Sequence, residues 1–178
     1  MRKIIAALLL TFSLLLLISC GGYDSEDLIS AVRELAPKAE ELYSVIYGDS
    51  LETSAVEESN GYYLVTDSRF QSINDMKTAM KEVFSEGYMK VVSNTAFNGV
   101  SSDEGAISAK FREIDGKLYV DQTVTADFGK MREFELDDIK VVKQNRFKAK
   151  VAVKSGNETL EVTLQKEDGV WKLDSAMY

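Results

Sequence analysis

The chain has no histidine, one cysteine and one proline in its 178 residues. Without histidine there is no Ser-His-Asp or Cys-His catalysis, no imidazole base and no common zinc site. The single cysteine, Cys20, allows no internal disulfide and leaves no thiol chemistry in the rest of the chain. One proline, Pro37, speaks against a long flexible linker. No Walker loop, dinucleotide glycine fingerprint or EF-hand spacing is found. A carboxylate-only enzyme and an oxygen-ligated calcium site remain conceivable, but neither has a motif. The expectation is a non-enzyme without cofactor or bound metal.

The start of the chain is its most informative stretch. Met1-Arg2-Lys3 is a basic head, Ile4 to Ile18 is an almost unbroken apolar run, and Leu17-Ile18-Ser19-Cys20 is followed by Gly21-Gly22. The run is shorter than the roughly 20 apolar residues of a spanning helix. Its layout resembles a bacterial lipoprotein signal: a small residue before the cysteine, a branched apolar residue three before it. That resemblance implies a leader over 1–19, a palmitate-type lipid on Cys20, and a leash over 20–24. The body, 25–178, would form one domain outside the cytoplasm, on the cell membrane, with the outer membrane as the option in a two-membrane organism. Several acyl chains on one residue make a stable anchor where one is marginal.

The chain carries 21 basic and 29 acidic residues; losing Arg2 and Lys3 with the leader moves the formal charge from −8 to about −10. Such a body has no electrostatic reason to hold nucleic acid. It is also expected to be repelled by anionic headgroups, standing off the membrane that tethers it.

Ser25 to about Tyr47 reads as a helix capped by Ser25, with Glu26 and Asp27 in its first turn. Leu28, Val32, Leu35, Ala39, Leu42 and Ile46 form one apolar stripe. Pro37 is expected to kink or divide it. Glu52 to Asn60 reads as an acidic loop and Tyr62 to Val65 as a short strand. Ser72 and Asp75 make a capping-box-like start to a second helix with Ile73, Met76, Met80, Val83 and Phe84 on its buried face. Gly87 is the expected breaker before a further helix ending at Asn98-Gly99, and Gly99 to Gly105 reads as a loop. Strands follow over Ala106 to Ile114 and Lys117 to Val124, joined by Asp115-Gly116, a strong hairpin signal, and over Phe134 to Val142. Phe147, Ala149, Val151 and Val153 alternate with Lys148, Lys150, Ala152 and Lys154, and Leu160, Val162 and Leu164 alternate with Glu161, Thr163 and Gln165. Asp168-Gly169 turns into a last strand, where Trp171 is expected as a core anchor. The final four strands read as an antiparallel meander.

Helices followed by an antiparallel sheet with one apolar face define an α+β fold, with the N-terminal helices covering the curved sheet. The order of elements, ending in Asp168-Gly169-Val170-Trp171-Lys172-Leu173, resembles NTF2-like and cystatin-like cones. Tyr62-Tyr63-Leu64-Val65, a striped helix, Asp115-Gly116-Lys117-Leu118-Tyr119 and the closing meander resemble the IseA-type inhibitors of cell-wall DL-endopeptidases. That likeness implies an envelope binding protein that restrains a peptidoglycan hydrolase. Partner contacts are expected at exposed loops, at Asp103, Glu104, Asp127, Lys130 and Arg132. Two alternatives stay open. One is an NTF2-like small-ligand receptor or carboxylate-dependent enzyme drawing on Asp121 or Asp137-Asp138 with Tyr63, Tyr88 or Tyr119. The other is a structural envelope lipoprotein. Asp137 and Asp138 are neighbours in a strand and point to opposite faces, so they cannot line one pocket together.

Overall fold

The computed structural model describes residues 25–59, 61–102, 105–124 and 133–177. Helix α1 (Ser25–Ile46) runs unbroken through Pro37, which sits on its exposed side. All six residues of the apolar stripe are buried. Ser25 is the first helical residue, with Glu26 and Asp27 in the first turn. Helix α2 (Ile73–Val83) starts as the sequence predicts. The Ser72 hydroxyl accepts from the Asp75 N–H at 3.0 Å, and the Asp75 carboxylate accepts from the Gln71 N–H at 3.1 Å.

The break after α2 is not made by Gly87, which lies inside helix α3 (Glu86–Ser93). Phe84 and Ser85 are extended. Phe84 bridges in parallel to Leu173, the Ser85 N–H donates to the Leu173 carbonyl at 2.8 Å, and the Ser85 hydroxyl caps α3 through the Tyr88 N–H. A pairing 89 residues away decides this boundary, which no local glycine signal reports. A π-helical turn over Asn94–Asn98 ends at Gly99, whose φ of 71° is in the region open to glycine.

Two four-stranded antiparallel sheets follow. One holds β1 (Thr53–Ser59), β2 (Tyr62–Val65), β6 (Lys117–Asp121) and β5 (Phe111–Ile114) in the order β1-β2-β6-β5. The other is the expected meander: β7 (Glu135–Gln144), β8 (Lys148–Ser155), β9 (Glu158–Glu167) and β10 (Val170–Leu173). Between β2 and β5 in sequence, β3 (Val100–Ser102) and β4 (Gly105–Ile107) form a small hairpin.

Three sequence expectations change here. The acidic stretch expected to be a loop is β1, an edge strand with two register shifts against β2; its pairing comes from β2, and its composition is that of a charged, bulged edge. The strand expected over Ala106 to Ile114 is broken into β4 and β5, with Lys110 between them turned into the interior. The loop expected over Gly99 to Gly105 contains β3. Asp115 and Gly116, with φ of 50° and 74°, close the β5–β6 hairpin; both central residues are left-handed, as a type I′ turn requires.

Between the helices and the meander the space is filled. Leu28, Val32 and Ala39 of α1 meet Val151, Val153, Val162, Leu164 and Leu173, all fully buried. Trp171 is 7% exposed in the same core, as expected. Lys148, Lys150 and Lys154 of β8 meet Asp174, Glu161 and Asp138 at 3.4, 2.8 and 2.6 Å. Phe147 is an exception to the β8 alternation: it precedes the strand in the turn and is 60% exposed.

Candidate functional site

The residues that sequence reasoning nominated fall into two groups. Cys20, Asp103, Glu104, Asp127, Lys130 and Arg132 lie outside the described residues. The tyrosine and carboxylate candidates are described, and the structure separates most of them. Tyr88 belongs to α3, where its hydroxyl lies 3.1 Å from that of Tyr43. Asp137 is exposed on β7, while Asp138 sits 3.7 Å from Lys140 and 2.6 Å from Lys154. The lysine pairing of Asp138 is that of a solvated sheet face.

Tyr119 and Asp121 do come together. They alternate on β6 and share a face. The strand register places Tyr62 opposite Asp121, and Leu64 and Arg112 opposite Tyr119, so all five belong to one side of the β1-β2-β6-β5 sheet. Tyr63, opposite Val120, is on the other side. The Arg112 guanidinium carbon stands 3.4 Å from the centroid of the Tyr62 ring, and the Tyr62 hydroxyl donates to the Ala109 carbonyl at 2.6 Å. The Tyr119 hydroxyl donates to Glu58 at 3.2 Å; burial, then this carboxylate, pushes its pKa up. Asp121 accepts from both the N–H and the hydroxyl of Thr123, at 2.8 and 2.6 Å, forming a local turn that ends β6. These bonds lock strands β1, β2, β5 and β6 in register.

Sequence reasoning missed Lys110. Only 4% exposed, it sends its ammonium to the Gly48 carbonyl, just beyond the end of α1. The last turn of α1 has no basic residue of its own, and Lys110 brings a positive charge to that negative helix end. Burial pushes its pKa down to about 8, against the opposing pull of Asp49 and Asp121. The cavity it shares with Val45, Leu51, Thr53, Val120 and Gln122 holds about 10 Å³, near the lower limit for one water. A lysine in a strand-like pattern reads as an exposed residue, so no sequence signal marks it. Its folded pKa lies below the unfolded value of 10.5, so the folded state binds fewer protons between pH 8 and 10.5. The charged form therefore weakens the fold at neutral pH, and stability rises as pH climbs through that window. The gain from Lys110 is expected to be about 2–3 kcal/mol between roughly pH 7 and pH 10. Urea unfolding of the native chain and of Lys110→Met at both pH values checks this: the native chain should gain on the variant by that amount. A constant difference would mean that Lys110 keeps its ordinary pKa.

A second buried charge, Asp67, is 6% exposed. It accepts from the N–H, Nε and Nη2 of Arg69 at 2.9, 3.0 and 2.7 Å and from the Glu52 N–H at 3.4 Å. Arg69 also reaches Glu41 of α1 at 2.8 Å. The Arg69 guanidinium holds the Asp67 carboxyl well below the usual carboxylate range.

Beside the β9–β10 turn lies an open groove of about 700 Å³. Phe84, Met89 and Val170 give it an apolar floor, and Lys81, Lys90, Lys172, Glu86, Glu167 and Asp168 rim it.

The fold is thus α+β, with three helices packed on antiparallel sheets. No family model matches the chain, and neither a curated protein nor a solved structure matches it. Among the described residues no helix is long and apolar enough to cross a membrane, and no cluster of carboxylates is arranged to hold a metal ion.

Proposed function

We propose that this chain is a lipid-anchored binding protein of the bacterial envelope, tethered through Cys20, that acts by holding another envelope protein. Its sharpest form is restraint of a cell-wall DL-endopeptidase. The observation that carries a binding role is the filled interior: the residues that a cone-shaped receptor would use to line a cavity are Val151, Val153, Val162 and Leu164, each fully buried against α1. Recognition then falls to the outer surface. The ordering of Arg2-Lys3, the apolar run and Ser19-Cys20 supports the anchor, and the resemblance to IseA-type inhibitors supports the class of partner. The receptor or carboxylate-enzyme alternative gains nothing from Tyr119, whose hydroxyl is taken by Glu58, or from Asp121, whose Oδ1 closes a local turn with Thr123.

The test is hydrolysis of purified peptidoglycan by a purified DL-endopeptidase with increasing amounts of the chain. The expected result is a saturable loss of activity at equimolar ratio. Full activity in excess chain would remove the inhibitor reading, and would leave the structural lipoprotein as the simpler account of the anchor.

A further inference from the structure

The β7–β8 hairpin runs against the charge of the rest of the chain. Residues 139–157, which hold the second half of β7, all of β8 and the turn that joins them, include Lys140, Lys143, Arg146, Lys148, Lys150 and Lys154 and no acidic residue, in a chain of net charge −8. Four of these cations meet carboxylates of neighbouring segments. Lys140 and Lys154 share Asp138, Lys150 meets Glu161, and Lys148 reaches Asp174, which also accepts from the Ser85 hydroxyl. Lys143 and Arg146, at the turn end, meet no carboxylate among the described residues. Lys143 also stands opposite Lys150 in the strand register, an unfavourable like-charge pair.

The turn itself is tied down. The Asn145 side-chain oxygen accepts from the N–H groups of Phe147 and Lys148, both at 2.8 Å, and the Phe147 carbonyl accepts from the Lys166 N–H at 2.7 Å. Held in this way, Phe147 is 60% exposed, the only exposed aromatic side chain among the described residues, and Val142 of β7 is 52% exposed. The Arg146 guanidinium carbon lies 5.4 Å from the Phe147 ring centroid, and Lys166, opposite Phe147 on β9, shares its face of the sheet. Against Lys143, Arg146, Lys148 and Lys166 this end of the sheet sets Asp174 and Asp168, while Glu167 is held by the Glu86 N–H at 3.1 Å, so positive charge stays in excess.

We propose that the turn end of this hairpin rests on an anionic lipid surface, that of the membrane holding the anchor, with the Phe147 ring in the headgroup layer and Lys143 and Arg146 on its phosphates. Basic side chains close to such a surface are drawn to it over about a Debye length, and an apolar ring among them adds burial at the interface. A turn with its ring in solvent encloses no ligand; it suits a broad, deformable surface. The direction of α1 supports the same side. Arg33, in its first half, donates to the Leu136 carbonyl of β7, and Tyr43, in its second half, packs at 5.4 Å on Phe84, which bridges to Leu173 of β10. The helix thus crosses the meander from β7, its edge strand, towards β10, and the chain enters α1 on the β7 side. With the Cys20 anchor proposed above, on which this orientation rests, the membrane lies on the side of the basic hairpin. The acidic remainder of the body is repelled by the same headgroups, and the two effects together fix which way the domain faces.

The test uses the full chain carrying Phe147→Trp, mixed with vesicles of phosphatidylglycerol or of phosphatidylcholine whose acyl chains are brominated near the headgroup. Bromine quenches a tryptophan that enters the lipid, and the native chain gives the background from Trp171, which is 7% exposed. The expected result is quenching of the added tryptophan in phosphatidylglycerol and none in phosphatidylcholine, with the quenching weakened as salt rises from about 0.1 M to about 1 M. Adding Lys143→Glu with Arg146→Glu should abolish it. Lys117→Glu, the same change of charge in the other sheet, should leave it. Equal quenching in the two lipids, quenching that survives the double variant, or no quenching in either lipid overturns the proposal. Sedimentation with the neutral vesicles reads the anchor separately. A chain that sediments without quenching removes the hairpin contact and keeps the anchor; one that is quenched only by phosphatidylglycerol, and does not sediment with neutral lipid, removes the anchor and keeps the hairpin contact.

Discussion

Replacing Arg69 with methionine is expected to cost about 3–5 kcal/mol at neutral pH, because it leaves a buried carboxylate without its cation. Asp67 is 6% exposed and lies between β2 and α2, and although the Arg69 side chain is 41% exposed, water only partly replaces the lost guanidinium. Only two backbone N–H groups, of Arg69 and Glu52, would still reach it. The side chain that is removed also ties this loop to Glu41 of α1 and to the Ser50 carbonyl, so two further contacts go with it. The pH dependence identifies the cause. In the native chain the lowered pKa of Asp67 contributes stability above its unfolded value of 3.8, lost only as pH falls through the still lower folded value. In the variant the largest lowering influence is gone and burial raises the pKa, so protonation in mild acid relieves the penalty. Urea unfolding should show a larger deficit at pH 7 than at about pH 4. An equal deficit at both would mean that the side chain acts through packing alone.

Phe84→Ala is expected to cost a similar amount, about 3–5 kcal/mol. The ring is 1% exposed and is held by Tyr43 at 5.4 Å and, edge-on, by Tyr88 at 5.3 Å. It joins α1, α3 and β10, so its removal opens a cavity where three elements meet and none can close in independently. Phe84→Leu keeps most of the volume and should cost less than half as much. Unfolding midpoints with unchanged denaturant slope would confirm a loss of folded-state packing. A small effect of the alanine variant would show that the neighbouring rings relax into the space.

Local chemistry was legible wherever one short stretch decides the outcome. The α1 stripe needs only the 3.6-residue period, and all six of its residues are buried. Ser72 and Asp75 make their capping bonds within a few residues of each other. Asp115-Gly116 and Asp168-Gly169 carry the positive φ angles that their turns demand. The alternation of Ala149, Val151 and Val153 marks a strand with one covered face. Elsewhere the local pattern misleads. Glu52 to Asn60 is polar enough for a loop, yet it supplies β1 because β2 offers it a hydrogen-bonding edge. Phe147 continues an alternation that the β7–β8 turn has already ended. Gly87 looks like a breaker, but the break is set two residues earlier, by Leu173.

The candidate sites divide in the same way. That Tyr119 and Asp121 share a face follows from their spacing of two, and that Asp137 and Asp138 do not follows from their spacing of one. What each carboxylate and phenol bonds to does not follow, because Glu58 and Tyr119 are 61 residues apart. Lys110 is invisible for the same reason: its partner Gly48 lies 62 residues away, at the end of a helix whose lack of a basic last turn matters only once the two meet.

By itself, the sequence determined the α+β class, the buried stripe of α1, the closing meander and its turns, and the absence of histidine and of a second cysteine. Those properties depend on periodicity, on turn stereochemistry and on composition, which short stretches carry whole. Only the tertiary structure decided that the strands divide into two sheets, that β1 is a strand, that α2 ends at Phe84, and that Lys110, Asp67 and the groove at the β9–β10 turn exist as sites. Each of these is a relation between residues far apart in the chain, and its energy comes from burial and pairing that begin only when distant segments pack together.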